Sequence, residues 1–378
     1  CGFLNFRMKE SDMTQQKKRI GILTSGGDCA GLNAAIRAAT YAAVERGWEV
    51  IGILDSTCGL MEKPYRIVHL TKEAVDGFVM RAAGTILGTT SKGSNSPLNY
   101  PMPDGSKKDR SIDFANAYHE LKLEGLIVIG GDGSMGILRE VSRRSGGIVK
   151  FVGIPKTIDN DVGGTEQTIG FDTAFAVATE ALDRLQPTAA SHQRVMVLEV
   201  MGREAGHIAL NAGIAGGADV ILIPEIPYKL DVVCAKLQKL RSEGRMHSLI
   251  VVAEALRDAG GKKVQTKYGD QVRYGGIAQV IAHDINAAIG AECRVTVLGH
   301  VQRGAAPTAM DRLVATASAV HAVDLIEAGQ FDRMVIWKGR QVTSVPFDEA
   351  LAKYHTVDVA KDSLIRTARA MGVCLGDA

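Results

Sequence analysis

The chain has 378 residues, 46% hydrophobic and 23% charged, with a formal net charge of +2. This length allows two domains with separate cores, and the absence of a dominating basic run argues against a dedicated nucleic-acid binder. The six cysteines lack CxxC or metal-type spacing, so reduced thiols in a cytoplasmic protein are expected, and no apolar run is long enough to cross a bilayer.

The first 17 residues have too short an apolar patch for a signal peptide and read as a mobile tail. Residues 20–23 predict a strand, 24–31 a glycine-rich turn and 32–46 a helix. The N–H groups at that helix start face the turn, a natural phosphate seat. The turn has neither the GK[ST] of a P-loop nor GxGxxG spacing, and a tight strand-to-helix turn wants glycine for geometry alone. Cys29 precedes this helix, whose field lowers a thiol's pKa; burial as a small packing residue is the plainer alternative. Residues 48–54 predict a second strand and 84–93 a second loop of glycines and hydroxyls. Residues 94–110 read as a long surface loop, with Lys107, Lys108 and Arg110 on a solvated face. Residues 125–141 repeat the opening plan of strand, Gly-Gly-Asp turn and helix. Two such turns can converge on one ligand. Asp132, set among glycines, suits a carboxylate for Mg2+, which favours one or two carboxylates plus substrate phosphates.

The stretch FVGIPKTIDND, residues 151–161, organises the rest. Its apolar run predicts a short buried strand that ends at Pro155, which cannot donate to a ladder. Lys156, Thr157, Asp159 and Asp161 follow at the carboxyl end of that strand, where open α/β sheets bind ligands. One carboxylate can take a proton from an attacking hydroxyl while cations offset phosphate charge, as phosphoryl transfer requires. A capped turn is the alternative, since Asp and Asn favour turns.

Beyond it, residues 173–184 predict a helix, and 195–210 again give strand, glycine turn and helix. Further strands are expected within 219–225, 248–256 and 294–304. Arg194, Arg203, Glu254, Arg294, His300 and Arg303 fall at strand ends or in turns. Four arginines in such places point to a strongly anionic substrate, because the guanidinium fork matches phosphate. Strands alternating with helices predict an α/β fold of two domains with largely parallel sheets.

In order, the chain carries TSGGDCAGLNAAIR, AGTILGTT, IGGDGS, PKTIDND, SHQRVMVLEVMGR, AGGADVILIPE, VVAEA and TVLGHVQRG. With these motifs it resembles a phosphofructokinase from about Arg19 to the C-terminal segment. The resemblance implies two similar α/β domains, each a largely parallel sheet flanked by helices, with the active site in the cleft between them. Residues 18–170 plus about 303–352 would bind the donor, and 171–302 plus about 353–378 the fructose 6-phosphate. Asp159 would be the base for the sugar 1-hydroxyl, acting with Thr157 and Arg203. Gly27, Lys92, Gly131, Asp132, Gly133, Ser134 and Lys156 would bind the nucleotide, with Mg2+ at Asp132 and Asp161. Met201, Gly202, Arg203 and Glu254 would hold the sugar beside Thr157 and Asp159, and His300 and Arg303 its 6-phosphate. Arg194 and Arg294 would reach that phosphate from a neighbouring subunit, implying a homo-oligomer, a tetramer or a dimer.

The activity so implied is glycolytic, Mg-assisted transfer from ATP to fructose 6-phosphate in the cytoplasm, without nucleic-acid or membrane partners. Gly133 is the ATP-type residue where pyrophosphate users generally carry Asp, whereas Lys156 stands where the familiar bacterial ATP enzymes have glycine. ATP is the favoured donor, because an Asp excludes it sterically while a Lys does not. A pyrophosphate-dependent phosphotransferase is the alternative, and a non-catalytic nucleotide or sugar-phosphate sensor the remote one.

Overall fold

The computed structural model describes residues 17–90, 96–257, 261, 264–268, 271–352 and 354–377. The expectations for residues 1–16 and for Lys92 lie outside them. The chain opens with β1 (Arg19–Ser25), α1 (Leu32–Glu45), β2 (Glu49–Ile53) and β3 (Ile67–Leu70). Within the expected surface loop, β4 (Tyr100–Pro101) pairs with β5 (Lys107–Lys108), and both of those lysines are exposed. Next come α2 (Ser111–Glu120), β6 (Gly125–Gly130), α3 (Asp132–Arg144) and β7 (Phe151–Pro155).

The middle of the chain forms α4 (Phe171–His192), β8 (Val195–Val200), α5 (His207–Ala215), β9 (Val220–Leu222), α6 (Leu230–Ser242) and β10 (Ser248–Ala253). A hairpin of β11 (Gln265–Tyr268) and β12 (Gln271–Tyr274) leads into α7 (Ile277–Ile289) and β13 (Cys293–Val297). The chain then forms α8 (Ala309–Glu327), β14 (Arg333–Lys338), β15 (Gln341–Pro346), α9 (Phe347–Leu351) and α10 (Ser363–Ala370).

The larger sheet runs β15-β14-β7-β6-β1-β2-β3, parallel except for its two outer pairs. Every residue of β6 and β7 is buried, the pattern of strands covered on both faces. Alternation sorts their side chains. Ile127 and Ile129 join Ile20, Ile22 and the alanines of α1 and α8 in one core layer. Leu126 and Val128 pack with Phe114 of α2 and Leu138 of α3 in the opposite one. The smaller sheet runs β13-β8-β10-β9 and is parallel throughout. The segment after α10 joins its β9 edge, where Ile221 N donates to Cys374 O at 2.9 Å. Each sheet has a point at which strand order reverses, between β1 and β6 and between β8 and β13. Ligand sites of open α/β sheets form at such points.

One helix outruns its expected range, and one hairpin lies where no element was read from the sequence. Helix α4 runs past Pro187 to His192, because that proline lies on an exposed face where water can meet the carbonyl it leaves without a donor. The β14–β15 hairpin turns on Gly339 and Arg340, with φ 57° and 62°, the primed geometry that suits twisted strands. Among the described residues no helix is long and apolar enough to cross a membrane.

Candidate active site

On the larger sheet, the carboxyl ends of β1, β6 and β7 converge. Gly26 has φ 88°, and a Cβ there would lie 3.4 Å from Lys156 Nζ and 3.5 Å from Ser134 Oγ. The backbone conformation is what calls for glycine, since a Cβ there would meet only ordinary contacts. The turn is clamped from behind: Thr89 Oγ1 donates to Gly26 O at 2.6 Å, and Gly26 N to Thr90 O at 3.0 Å. Buried Asn33 holds the clamping segment, donating to Ala82 O at 3.2 Å and accepting from Ile86 N at 2.8 Å. Lys156 is 3% exposed and donates through Nζ to Gly27 O at 2.5 Å. Burial holds its ammonium below the ordinary lysine range. Helix α3 starts at Gly131 and carries Asp132, Gly133 and Ser134 in its first turn, so free N–H groups face the same space.

The catalytic loop leaves β7 in a tight, self-bonded path. Asp159 N donates to Thr157 Oγ1 at 3.1 Å, and that hydroxyl donates to Asp159 Oδ2 at 3.3 Å. Asn160 adopts φ 52° and is fastened by Thr168 N, which donates to its Oδ1 at 3.0 Å. Asp159 is 8% exposed. Its carboxyl is pushed up to about 6 by burial and then by neighbouring Asp161, while Arg303 and Arg203 pull it down. Asp161 is buried; its Oδ2 accepts from Tyr354 OH at 2.7 Å and lies 3.7 Å from Arg203 Nη1.

From the smaller sheet, Met201, Gly202 and Arg203 leave the end of β8 toward this loop. Met201 N donates to the buried Gln302 Oε1 at 2.8 Å, and Arg203 N to Glu254 Oε1 at 3.0 Å. Arg203 has φ 52°, a positive value that glycine tolerates better, so the side chain is aimed at some backbone cost. Asp132, Asp161 and Asp159 all lie within its electrostatic reach. Glu254 is pushed up to about 7, chiefly by burial. The ends of the two sheets thus face each other across a cleft, acids from one and the arginine from the other.

A 3-10 turn, Gly299–Arg303, holds the exposed His300 and sends Arg303 to the glycine turn. There Arg303 Nη1 donates to Asp28 O at 2.7 Å and sits 2.9 Å from where a Gly27 Cβ would be. An arginine assigned by resemblance to the sugar phosphate therefore also reaches the donor side. Arg194 and Arg294 lie elsewhere. They stand at the opposite end of the smaller sheet, just before β8 and within the start of β13, flanking Glu292 at 2.8 and 2.5 Å. Strands of this length span roughly 17–20 Å, so neither arginine reaches the Arg203 cleft of its own chain.

Of the two readings of Cys29, the structure supports the plainer one, burial. Cys29 is 0% exposed, its Sγ donates to Ile169 O at 3.3 Å, and burial pushes the thiol up to about 12. Desolvation outweighs the helix field, so this is a packing residue. Residues the motif reading passed over also matter. Asn33 and Gln302 lay inside quoted motifs, whereas Tyr354 sits in a segment with no motif at all. Among the described residues no group of three or more His, Cys, Asp or Glu is gathered for a metal ion.

Residues 19–326 match the family model for phosphofructokinase. The chain is 55% identical over 363 residues to ATP-dependent 6-phosphofructokinase 1 of a Nostoc species, covering 96% of this chain and 99% of that protein. The protein of the same name from a Synechocystis species is also 55% identical, over 95% of this chain and 99% of that one. Phosphofructokinase of Saccharomyces cerevisiae has a similar structure, with TM-score 0.77 and 30% identity. That match covers 89% of this chain and 45% of the yeast one. Pyrophosphate-dependent phosphofructokinase of Nitrosospira multiformis shares the fold, with TM-score 0.77 at 20% identity, over 95% of this chain and 93% of that one. With glycine turns facing an acid-and-arginine cleft, and with relatives this similar over nearly its whole length, the chain belongs to the phosphofructokinase family.

Proposed function

We propose that this chain is an ATP-dependent 6-phosphofructokinase, transferring the terminal phosphoryl group of ATP to the 1-hydroxyl of fructose 6-phosphate. The observation that carries this reading is Asp159, buried beside Asp161 and facing Arg203 at the mouth of the glycine turns. Asp159 accepts the hydroxyl proton as the oxygen attacks in line, since a carboxyl near pH 6 is a useful base at neutrality. Thr157 keeps that carboxylate in place. Arg203 and the N-termini of α1 and α3 offset the charge that spreads over the moving phosphoryl group. Mg2+, held through Asp132 with Asp161 nearby, would add Lewis-acid neutralisation of the same charge.

Lys156 turns its ammonium onto Gly27 O, which supports a bracing role for it in an ATP site rather than a choice of pyrophosphate. Gly133 places no second carboxylate beside Asp132 in the first turn of α3, where one would repel the α-phosphate. Residues 18–170 with about 303–352 act as the donor half, and 171–302 with about 353–378 as the sugar half. Met201, Gly202 and Glu254 line the sugar, with His300 and Arg303 for its 6-phosphate. Arg194 and Arg294 complete the phosphate site of a second copy, so the working form is a homo-oligomer. Reduced cysteines and the absence of a spanning helix among the described residues fit a cytoplasmic enzyme.

A donor assay tests the reading. With fructose 6-phosphate and Mg2+ matched, ATP should give the bisphosphate faster than pyrophosphate does. Faster turnover with pyrophosphate would make Lys156, not Gly133, the residue that sets donor choice.

A further inference from the structure

Beyond α9 the chain crosses directly over the catalytic loop. Tyr354 and Val162 form an antiparallel bridge, and His355 N donates to Asp161 O at 3.0 Å. His355 Nδ1 lies 2.9 Å from Asn160 O, and its ring stacks on the buried His207 at 4.7 Å. Val357 N donates to Glu225 Oε1 at 3.0 Å, and the same oxygen accepts from Gly206 N at the start of α5. The crossing segment is therefore tied on one side to the loop and on the other to the smaller sheet's helices. Tyr354 is its side chain that enters the site. The phenol donates to Asp161 Oδ2 at 2.7 Å, and that oxygen is the one 3.7 Å from Arg203 Nη1. Asp161 is 3% exposed, so water is poorly placed to replace a lost donor.

We propose that Tyr354 is a positioning residue for phosphoryl transfer: it holds the Asp161 carboxylate in the orientation that presents Arg203 to Asp159. The link runs phenol to carboxylate to guanidinium, from the C-terminal segment to the reacting centre. Tyr354 touches no reacting atom in this scheme. It acts through Asp161, so its loss should lower turnover without weakening capture of either substrate. The inference rests on the catalytic reading of the loop given above.

The test is a double-mutant cycle on the intact chain: wild type, Tyr354→Phe, Asp161→Ala and the pair together. The phenylalanine keeps the ring, and Tyr354 is 41% exposed, so folding should be retained; thermal midpoints check this. For Tyr354→Phe, kcat should fall roughly tenfold, the loss of one hydrogen bond to a charged group, with both KM values within about twofold. In the Asp161→Ala background, where the acceptor is gone, the same change should cost nothing further. Unchanged kcat overturns the proposal. So does an equal loss in both backgrounds, or a loss accompanied by parallel rises in KM and a lowered midpoint. Asp159→Asn is run alongside. If it keeps a tenth or more of wild-type kcat, the catalytic reading itself fails, whatever Tyr354→Phe does.

Discussion

The two halves of the cleft are built to different degrees of completeness. On the larger sheet, the glycine turn, the Asn33-held segment, Lys156 and the start of α3 close on one another within one chain. On the smaller sheet, Arg203, Glu254 and Gln302 are equally well fixed, yet Arg194 and Arg294 stand a strand's length away beside Glu292. The edge strand β13 adds to the contrast, with Val297 52% exposed and Val301 beyond it 67% exposed. A donor pocket can be finished by local turns, because phosphate needs little more than N–H groups and a cation. The sugar brings a second phosphate, and on the proposed reading Arg194 and Arg294 of a second copy add positive charge for it. On that reading, the chain is self-sufficient for the donor and draws on a copy of itself for the acceptor.

The largest expected effect belongs to the point where the halves meet. Asp159→Asn should lower kcat by about 10²–10⁴ while leaving both KM values near wild type, because it removes the base and not a binding contact. Steady-state kinetics in both substrates will show whether it does. Arg294→Ala sharpens the contrast: the KM for fructose 6-phosphate should rise roughly 10- to 100-fold and the KM for ATP stay put. A matched rise for ATP would mean that the halves are not separable in this way.

A third effect concerns the joint itself. Asp311, at the start of α8, accepts from Gly170 N at 2.9 Å and Thr173 N at 2.8 Å, capping α4 across the boundary between halves. Burial pushes its carboxyl up to about 6. Since the unfolded group titrates near 4, the folded state binds the extra proton between those values, and stability falls as pH rises from about 4 to 6. Asp311→Asn should abolish that component, on the order of 2–3 kcal/mol, read as the difference in pH dependence between two denaturation series. The smallest effect is a negative one. Cys29, sealed under Ile169, should resist alkylation in native enzyme, with or without ATP, and react once the protein is unfolded.

The parts legible in the amino-acid order were those whose logic is local. Gly26, Asp132, Asp159 and Arg203 each follow an apolar run by one or a few residues, so strand-end placement could be read directly. The pairing of Arg194 with Arg294 on Glu292 was not, because it depends on β8 and β13 lying side by side. Tyr354 was invisible for the same reason: it meets Asp161 across 193 positions with no motif to announce it. Cys29 was open to misreading because a helix start is local information and burial is not. Only the packing of Ile169 and Gly170 over its sulfur decides the sign of its shift.

The account turns on whether one acceptor site draws on two chains, and subunit mixing tests that most directly. Arg294→Ala and Asp159→Asn proteins, each nearly inactive at limiting fructose 6-phosphate, are dissociated together and reassembled. A shared site predicts recovery toward about a quarter of wild-type activity, since hybrid pairs contain one site with Asp159 and the partner's arginine both intact. Activity that stays at the sum of the two variants, after subunit exchange has been verified, would contradict the account.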